Sequence, residues 1–129
     1  MTLKKALVAI TVVAMLFGMV GTAFAATSFP DITDSKTAAA ATRLNALGIV
    51  KGYDNGNFGA ADTVTRAQFA AIAVRALNLD NAATYAKGAT KFSDVSADYW
   101  ASGYVNIATQ QGIINGYPDG NFGPEDKVT

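Results

Sequence analysis

The residue best placed to do chemistry is Arg66, within Val64-Thr65-Arg66-Ala67-Gln68-Phe69. Thr65 and Gln68 have the spacing of a capping box, so a helix should open there with Arg66 at its first position. That end of the helix dipole is positive, and a cation there is disfavoured by roughly 0.3–1 kcal/mol. A sequence shaped only by helix stability would carry Asp or Glu instead. An anionic ligand reverses the sign, because free backbone amides and the guanidinium would converge on it. The alternative is an internal ion pair, for instance with Asp62. Residue types alone do not separate the two.

Other chemistries find less support. The chain has no His and no Cys. Its acids are spread through short motifs without a nucleophile–base pair, so a non-catalytic chain without cofactor is expected. The loop from Asp54 has the flavour of a calcium site, but an EF-hand needs oxygen ligands at positions 1, 3 and 5 and Glu at 12. Here positions 3, 5 and 12 are Gly56, Phe58 and Thr65, and no metal is expected. The 10 basic and 10 acidic residues offer no basic patch of the kind nucleic acid requires.

The amino terminus has a different character. Lys4 and Lys5 precede an uncharged apolar run from Ala6 to Phe17, followed by Gly18, Gly21 and Ala23-Phe24-Ala25. This pattern is that of a secretory signal peptide over residues 1–25. The alternative is a membrane anchor, since residues 6–25 are just long enough to span a bilayer. The small-residue site and nearby glycines favour cleavage after Ala25, leaving an exported chain with no stable membrane insertion. Without the two leader lysines, 8 basic residues face 10 acids, a net charge of about −2. The absence of Cys excludes disulfide staples, so packing must supply the stability.

The elements that position Arg66 occur twice. Residues 52–65 read Gly-Tyr-Asp-Asn-Gly-Asn-Phe-Gly-Ala-Ala-Asp-Thr-Val-Thr. They return 64 residues later as Gly-Tyr-Pro-Asp-Gly-Asn-Phe-Gly-Pro-Glu-Asp-Lys-Val-Thr, with nine of fourteen positions identical. Phe29-Pro30-Asp31-Ile32 likewise matches Phe92-Ser93-Asp94-Val95, and Gly48-Ile49-Val50 matches Gly112-Ile113-Ile114. One structural unit is therefore used more than once. The first copy covers residues 29–79 and the second 92–129, with residues 80–91 read as a linker. The second copy stops at Thr129, where its second helix should begin, so the fold is expected to be incomplete.

Each unit reads as helix, Gly-Tyr loop, helix. Ala40, Leu44 and Leu47 form one apolar stripe, and Ala101, Tyr104, Val105 and Ala108 another, which predicts helices over 36–47 and 99–111. Gly48 and Gly112 stand where left-handed carboxyl-terminal caps belong. Asn55-Gly56 and Asp119-Gly120 mark tight turns. Phe69, Ile72, Ala73 and Ala76 give the helix after Thr65 its apolar face.

The order Phe-x-Asp, then Gly-[Ile/Val]-x-x-Gly-Tyr-x-[Asp/Asn]-Gly-x-Phe, then Val-Thr-Arg-Ala-Gln-Phe resembles the S-layer homology family over nearly all of the chain after the leader. The resemblance implies an all-helical fold of tandem repeats around a central helical bundle with pseudo-threefold symmetry. It also implies non-covalent anchoring of an exported protein to cell-wall polysaccharide, often pyruvylated, in grooves between repeats. The cell wall or surface layer would be the location. The alternatives are a structural subunit that self-associates in a surface lattice, and direct binding of peptidoglycan.

Carried over by position, the family's arginine falls on Arg66, its loop glycine on Gly52 and Gly116, its aspartate on Asp31 and Asp94, and its tryptophan on Trp100. Lys36 stands at the tryptophan position of the first copy, and Gln68 replaces the usual glutamate. Trp100 suits the CH-rich face of a sugar, or else packs between repeats. Asp31 and Asp94 are able to accept from sugar hydroxyls, or else cap the helix or turn that follows them. The Tyr53/Phe58 and Tyr117/Phe122 pairs read as core.

Overall fold

The computed structural model describes residues 28–129, so the expected signal peptide lies outside the described residues. Among the described residues four helices follow one another: α1 (Ser35–Ala46), α2 (Arg66–Ala76), α3 (Asp80–Tyr85) and α4 (Ser102–Gln110). Among the described residues the extended pairing is a single antiparallel bridge, Thr65 to Lys127. The fold is all-α, as expected.

Local sequence explains the helix ends. Asp34 caps α1, accepting from both the amide and the hydroxyl of Thr37 at 2.7 Å. The capping box at α2 is formed: the Thr65 hydroxyl accepts from the Gln68 amide at 3.2 Å, and the Gln68 side chain accepts from the Thr65 amide at 2.9 Å. Gly48 and Gly112 follow α1 and α4 with φ of 72° and 69°. After α2 the same left-handed position is held by Asn78, with φ of 59°. Asn tolerates this conformation better than most L-residues, which makes it the usual substitute for glycine.

Two expectations need correction. Residues 80–91 are not simply a linker, because α3 forms at their start. Ala83 is buried there against α4, where Gly103 lies so close that an added Cβ would strike the Ala83 carbonyl. Packing on a glycine thus makes a helix of a segment whose composition reads as loop. The other correction is to the helix expected over 99–111. It begins at Ser102, because residues 96–102 turn tightly, with Tyr99 donating to the Ser96 carbonyl and Ser102 to that of Tyr99.

The core does not follow the boundaries of the sequence repeats. Ala67, Ala70 and Val74 of α2 pack with Ala83 of α3, with Val105 and Ala108 of α4, and with Phe92, Val95 and Phe122. The second helix of the first repeat is therefore built into the second repeat. By contrast, α1 packs against none of the other helices among the described residues. It rests on its own loop, where Asn45 donates to the Val50 carbonyl at 3.0 Å. Ala41 is buried, but Leu47 is 72% exposed.

Candidate functional site

Both Gly-Tyr loops close in the same way. The Tyr53 backbone amide donates to the Asn57 carbonyl at 2.8 Å, and the Tyr117 amide to that of Asn121 at 2.7 Å. Phe29 tilts against Phe58 at 5.2 Å, and Phe92 against Phe122 at 5.3 Å. The loop glycines leave room for these rings. A Cβ on Gly52 would come within 2.7 Å of Phe29, and one on Gly116 would collide with Phe92.

Asp31 and Asp94 have the same task, and it is not the cap of a following helix or turn. Asp31 accepts from the Phe58 and Gly59 amides at 2.8 and 2.7 Å. Asp94 accepts from Phe122 and Gly123 at 2.9 and 2.7 Å. Each carboxylate clamps its own loop from 27–29 residues upstream. The Phe58 and Gly59 amides hold the Asp31 carboxyl below its ordinary pKa. Burial pushes Asp94 up, but the Phe122 and Gly123 amides outweigh it, helped by the nearby Arg66 charge, and the net shift is downward.

Arg66 crosses from the first repeat into the second loop. Its Nε donates to the Phe122 carbonyl at 2.8 Å and its Nη2 to the Asn115 carbonyl at 2.6 Å. The guanidinium carbon lies 4.5 Å from the centre of the Tyr117 ring and 4.9 Å from that of Phe122. The amides at the start of α2 are also engaged: Arg66 donates to the Asp126 carbonyl at 2.9 Å and Ala67 to that of Pro124 at 3.0 Å. The amides expected to be free for an anion are thus satisfied by loop carbonyls, and Arg66 forms no ion pair with Asp62. Its cation is neutralised by carbonyl dipoles and ring faces. Any ligand contact by Arg66 falls to the guanidinium hydrogens that these bonds do not use.

A groove of about 570 Å³ lies between the repeats. Its walls include Lys51, Gly52 and Tyr53 of the first loop, Gln68 and Arg75 of α2, and Trp100 of the second repeat. Trp100 is 49% exposed, with the rings of Tyr99 and Tyr104 beside it at 5.8 and 6.3 Å. A hydrogen-bonded network stiffens this wall. The Tyr104 hydroxyl donates to Asp80 at 2.6 Å, and Arg75 donates to Asp80 at 3.2 Å and to the Tyr104 hydroxyl at 3.0 Å. The Tyr104 hydroxyl holds the Asp80 carboxyl below its ordinary value despite opposing burial. Next to it Tyr99 donates to Glu125 at 2.6 Å, and burial followed by that carboxylate pushes its pKa up to about 12.

The six residues singled out in the sequence therefore fall into separate places. Gly52 and Trp100 share the groove. Arg66, Asp94 and Gly116 meet around the second loop, and Asp31 sits under the first. Lys51 and Arg75, the cations of the groove, were not anticipated. Lys51 is the residue just before the Gly-Tyr motif and pairs in the repeat with an uncharged Asn115, so no shared pattern marks it. Arg75 has no repeat counterpart in the sequence.

A helix–loop–helix repeat whose second helix packs into the next repeat, with an aromatic-walled groove between the two, defines a tandem-repeat helical module. The sequence pattern of the S-layer homology domain matches residues 28–70 and 91–129. The chain belongs to that family. It is 42% identical over 121 residues to a surface layer protein of Brevibacillus choshinensis, covering 94% of this chain and 10% of that protein. It is 40% identical over 105 residues to a middle cell wall protein of Brevibacillus brevis, covering 81% of this chain and 10% of that one. A cellulosome-anchoring protein of Acetivibrio thermocellus is 32% identical over 80 residues, covering 62% and 18%. The chain thus spans about a tenth of the length of the two Brevibacillus relatives. No solved structure matches it significantly. Among the described residues no helix is long and apolar enough to cross a membrane.

Proposed function

We propose that the chain anchors an exported protein non-covalently to the bacterial cell wall, by binding a secondary wall polysaccharide in the groove between its repeats. The observation that carries this reading is the half-exposed Trp100 that forms one wall of the groove opposite the first loop. An indole face suits the CH face of a sugar. Arg75 is paired with Asp80, and Asp54 and Asp62 also line the groove, so Lys51 is the cation left to meet an acidic group such as a pyruvyl carboxylate. Asp31 serves this site by fixing the first loop, while Asp94, Gly116 and Arg66 fix the second loop, where Arg66 offers a separate cationic contact. Relatives described as surface layer, cell wall and anchoring proteins support a place at the cell surface. The chain acts as a binding module, and linked repeats raise modest single-groove affinity through effective concentration.

Sedimentation with purified cell walls tests this. The chain should pellet with intact walls and stay in solution with walls stripped of secondary polymer. Trp100→Ala and Lys51→Ala should each weaken retention several-fold. Equal pelleting with stripped walls would replace the reading by direct peptidoglycan binding. Variants that lose self-assembly while keeping full wall retention would favour a lattice subunit.

A further inference from the structure

The tryptophan of the groove sits between two tyrosines, and each tyrosine is tied down at its far end. Trp100 has the Tyr99 ring 5.8 Å away at 45° and the Tyr104 ring 6.3 Å away at 53°. The Tyr104 hydroxyl donates to Asp80 at the start of α3, and the Arg75 guanidinium lies 4.7 Å from its ring centre. The Tyr99 hydroxyl donates to Glu125 at 2.6 Å, the short length of a hydroxyl on a carboxylate. Burial and then Glu125 raise the Tyr99 pKa to about 12, while the Trp100 indole N–H pulls the other way on the same hydroxyl. One hydroxyl thus stands between the indole and the carboxylate.

Glu125 is exposed, yet its backbone is fixed. Pro124 and Asp126, on either side of it, accept from the Ala67 and Arg66 amides that open α2. A carboxylate on a free loop would restrain nothing. This one is anchored to the core through α2.

The first repeat has none of this set. At the repeat offset of 64 residues, Tyr99, Trp100, Tyr104 and Glu125 pair with Ser35, Lys36, Ala40 and Ala61. The neighbouring aspartate is kept in both copies, as Asp62 and Asp126. The first repeat closes the same Gly-Tyr loop without the two tyrosines and the glutamate, so the fold of a repeat does not require them. They occur where the tryptophan occurs.

We propose that Tyr99 and Glu125 are positioning residues for Trp100: their hydrogen bond, facing the Tyr104–Asp80 pair across the indole, holds the ring in its sugar-stacking orientation before ligand arrives. This deepens the groove reading and rests on it. A half-exposed indole without a brace would move among rotamers and lose that freedom on binding. The brace removes that cost in advance.

Trp100 is the sole tryptophan of the chain, so its fluorescence anisotropy decay reads its motion directly. In the unaltered chain overall tumbling should dominate the decay. Tyr99→Phe and Glu125→Ala should each add a fast component from rotamer motion. Each should also weaken retention on purified cell walls about two- to tenfold, the range for ordering one side chain on binding. Glu125→Gln keeps an acceptor for the Tyr99 hydroxyl and should recover most of both losses. Combining Tyr99→Phe with Glu125→Ala should be no worse than the poorer single change, because both remove the same bond. Unchanged anisotropy in the two single variants, or a lowered unfolding midpoint with full wall retention, would overturn the positioning role. The groove reading would survive that result if Trp100→Ala still lost retention. Full retention of Trp100→Ala would bring down the groove reading itself, and the positioning role with it.

Discussion

The two loops are nearly the same object in different surroundings. Each is clamped by one aspartate, pinned by one Phe–Phe contact and turned at one Asx-Gly pair. Yet Phe122 is fully buried and its loop receives both Arg66 and the first amides of α2, while among the described residues the first loop and α1 make no such contact. The conformation of a Gly-Tyr loop is therefore a local property, whereas its burial and its charge partner come from the helix next door. The first repeat thus hands its second helix to the one that follows.

The strongest way to break this comparison is at the buried phenylalanines. Phe122→Ala should cost about 3–5 kcal/mol, the range for emptying a filled aromatic site. Phe58→Ala should cost about half as much or less, because its site is already partly open. Denaturant unfolding measures both, and equal losses would show that the two loops are buried alike.

Next comes the charge handed across. Arg66→Ala removes two hydrogen bonds from a charged donor and two ring contacts, with an expected loss of about 2 kcal/mol. Amide exchange should quicken at Tyr117 and Gly120 and stay unchanged at Tyr53 and Gly56. Faster exchange in both loops would mean that the first also depends on α2.

Acid should reveal what the loops share. Asp31 and Asp94 both have folded pKa values below that of the unfolded chain, about 3.9. Their stabilisation is present above that value and disappears as pH falls through the folded values. Asp31→Asn and Asp94→Asn should each flatten the stability profile below about pH 4–5. A flattened profile for only one of them would end the claim that the clamp is the same in both loops.

The smallest effect on stability should come from Trp100→Ala, under about 1 kcal/mol for a half-exposed side chain. Its consequence belongs to binding, and thermal unfolding beside wall sedimentation separates the two. A loss of several kcal/mol would make Trp100 a packing residue.

Much of the local architecture was legible beforehand. The capping box at Thr65 and Gln68, the glycines after α1 and α4 and the Asx-Gly turns involve partners only a few residues apart, so spacing and residue type suffice to specify them. The short α3 was not legible, because its reason is the close approach of Ala83 to Gly103, twenty residues on. The target of Asp31 was equally hidden, since the amides it accepts belong to a loop 27 residues away.

The sequence by itself determined that one unit is repeated, that a capped helix begins after Thr65, and that an arginine opens it. These follow from short-range hydrogen bonding and hydrophobic periodicity. Only the tertiary structure decided where that arginine goes. Its acceptors are carbonyls 49 and 56 residues away, and every residue carries a carbonyl. Backbone acceptors leave no mark in side-chain identity, so only folding selects which of them an arginine meets.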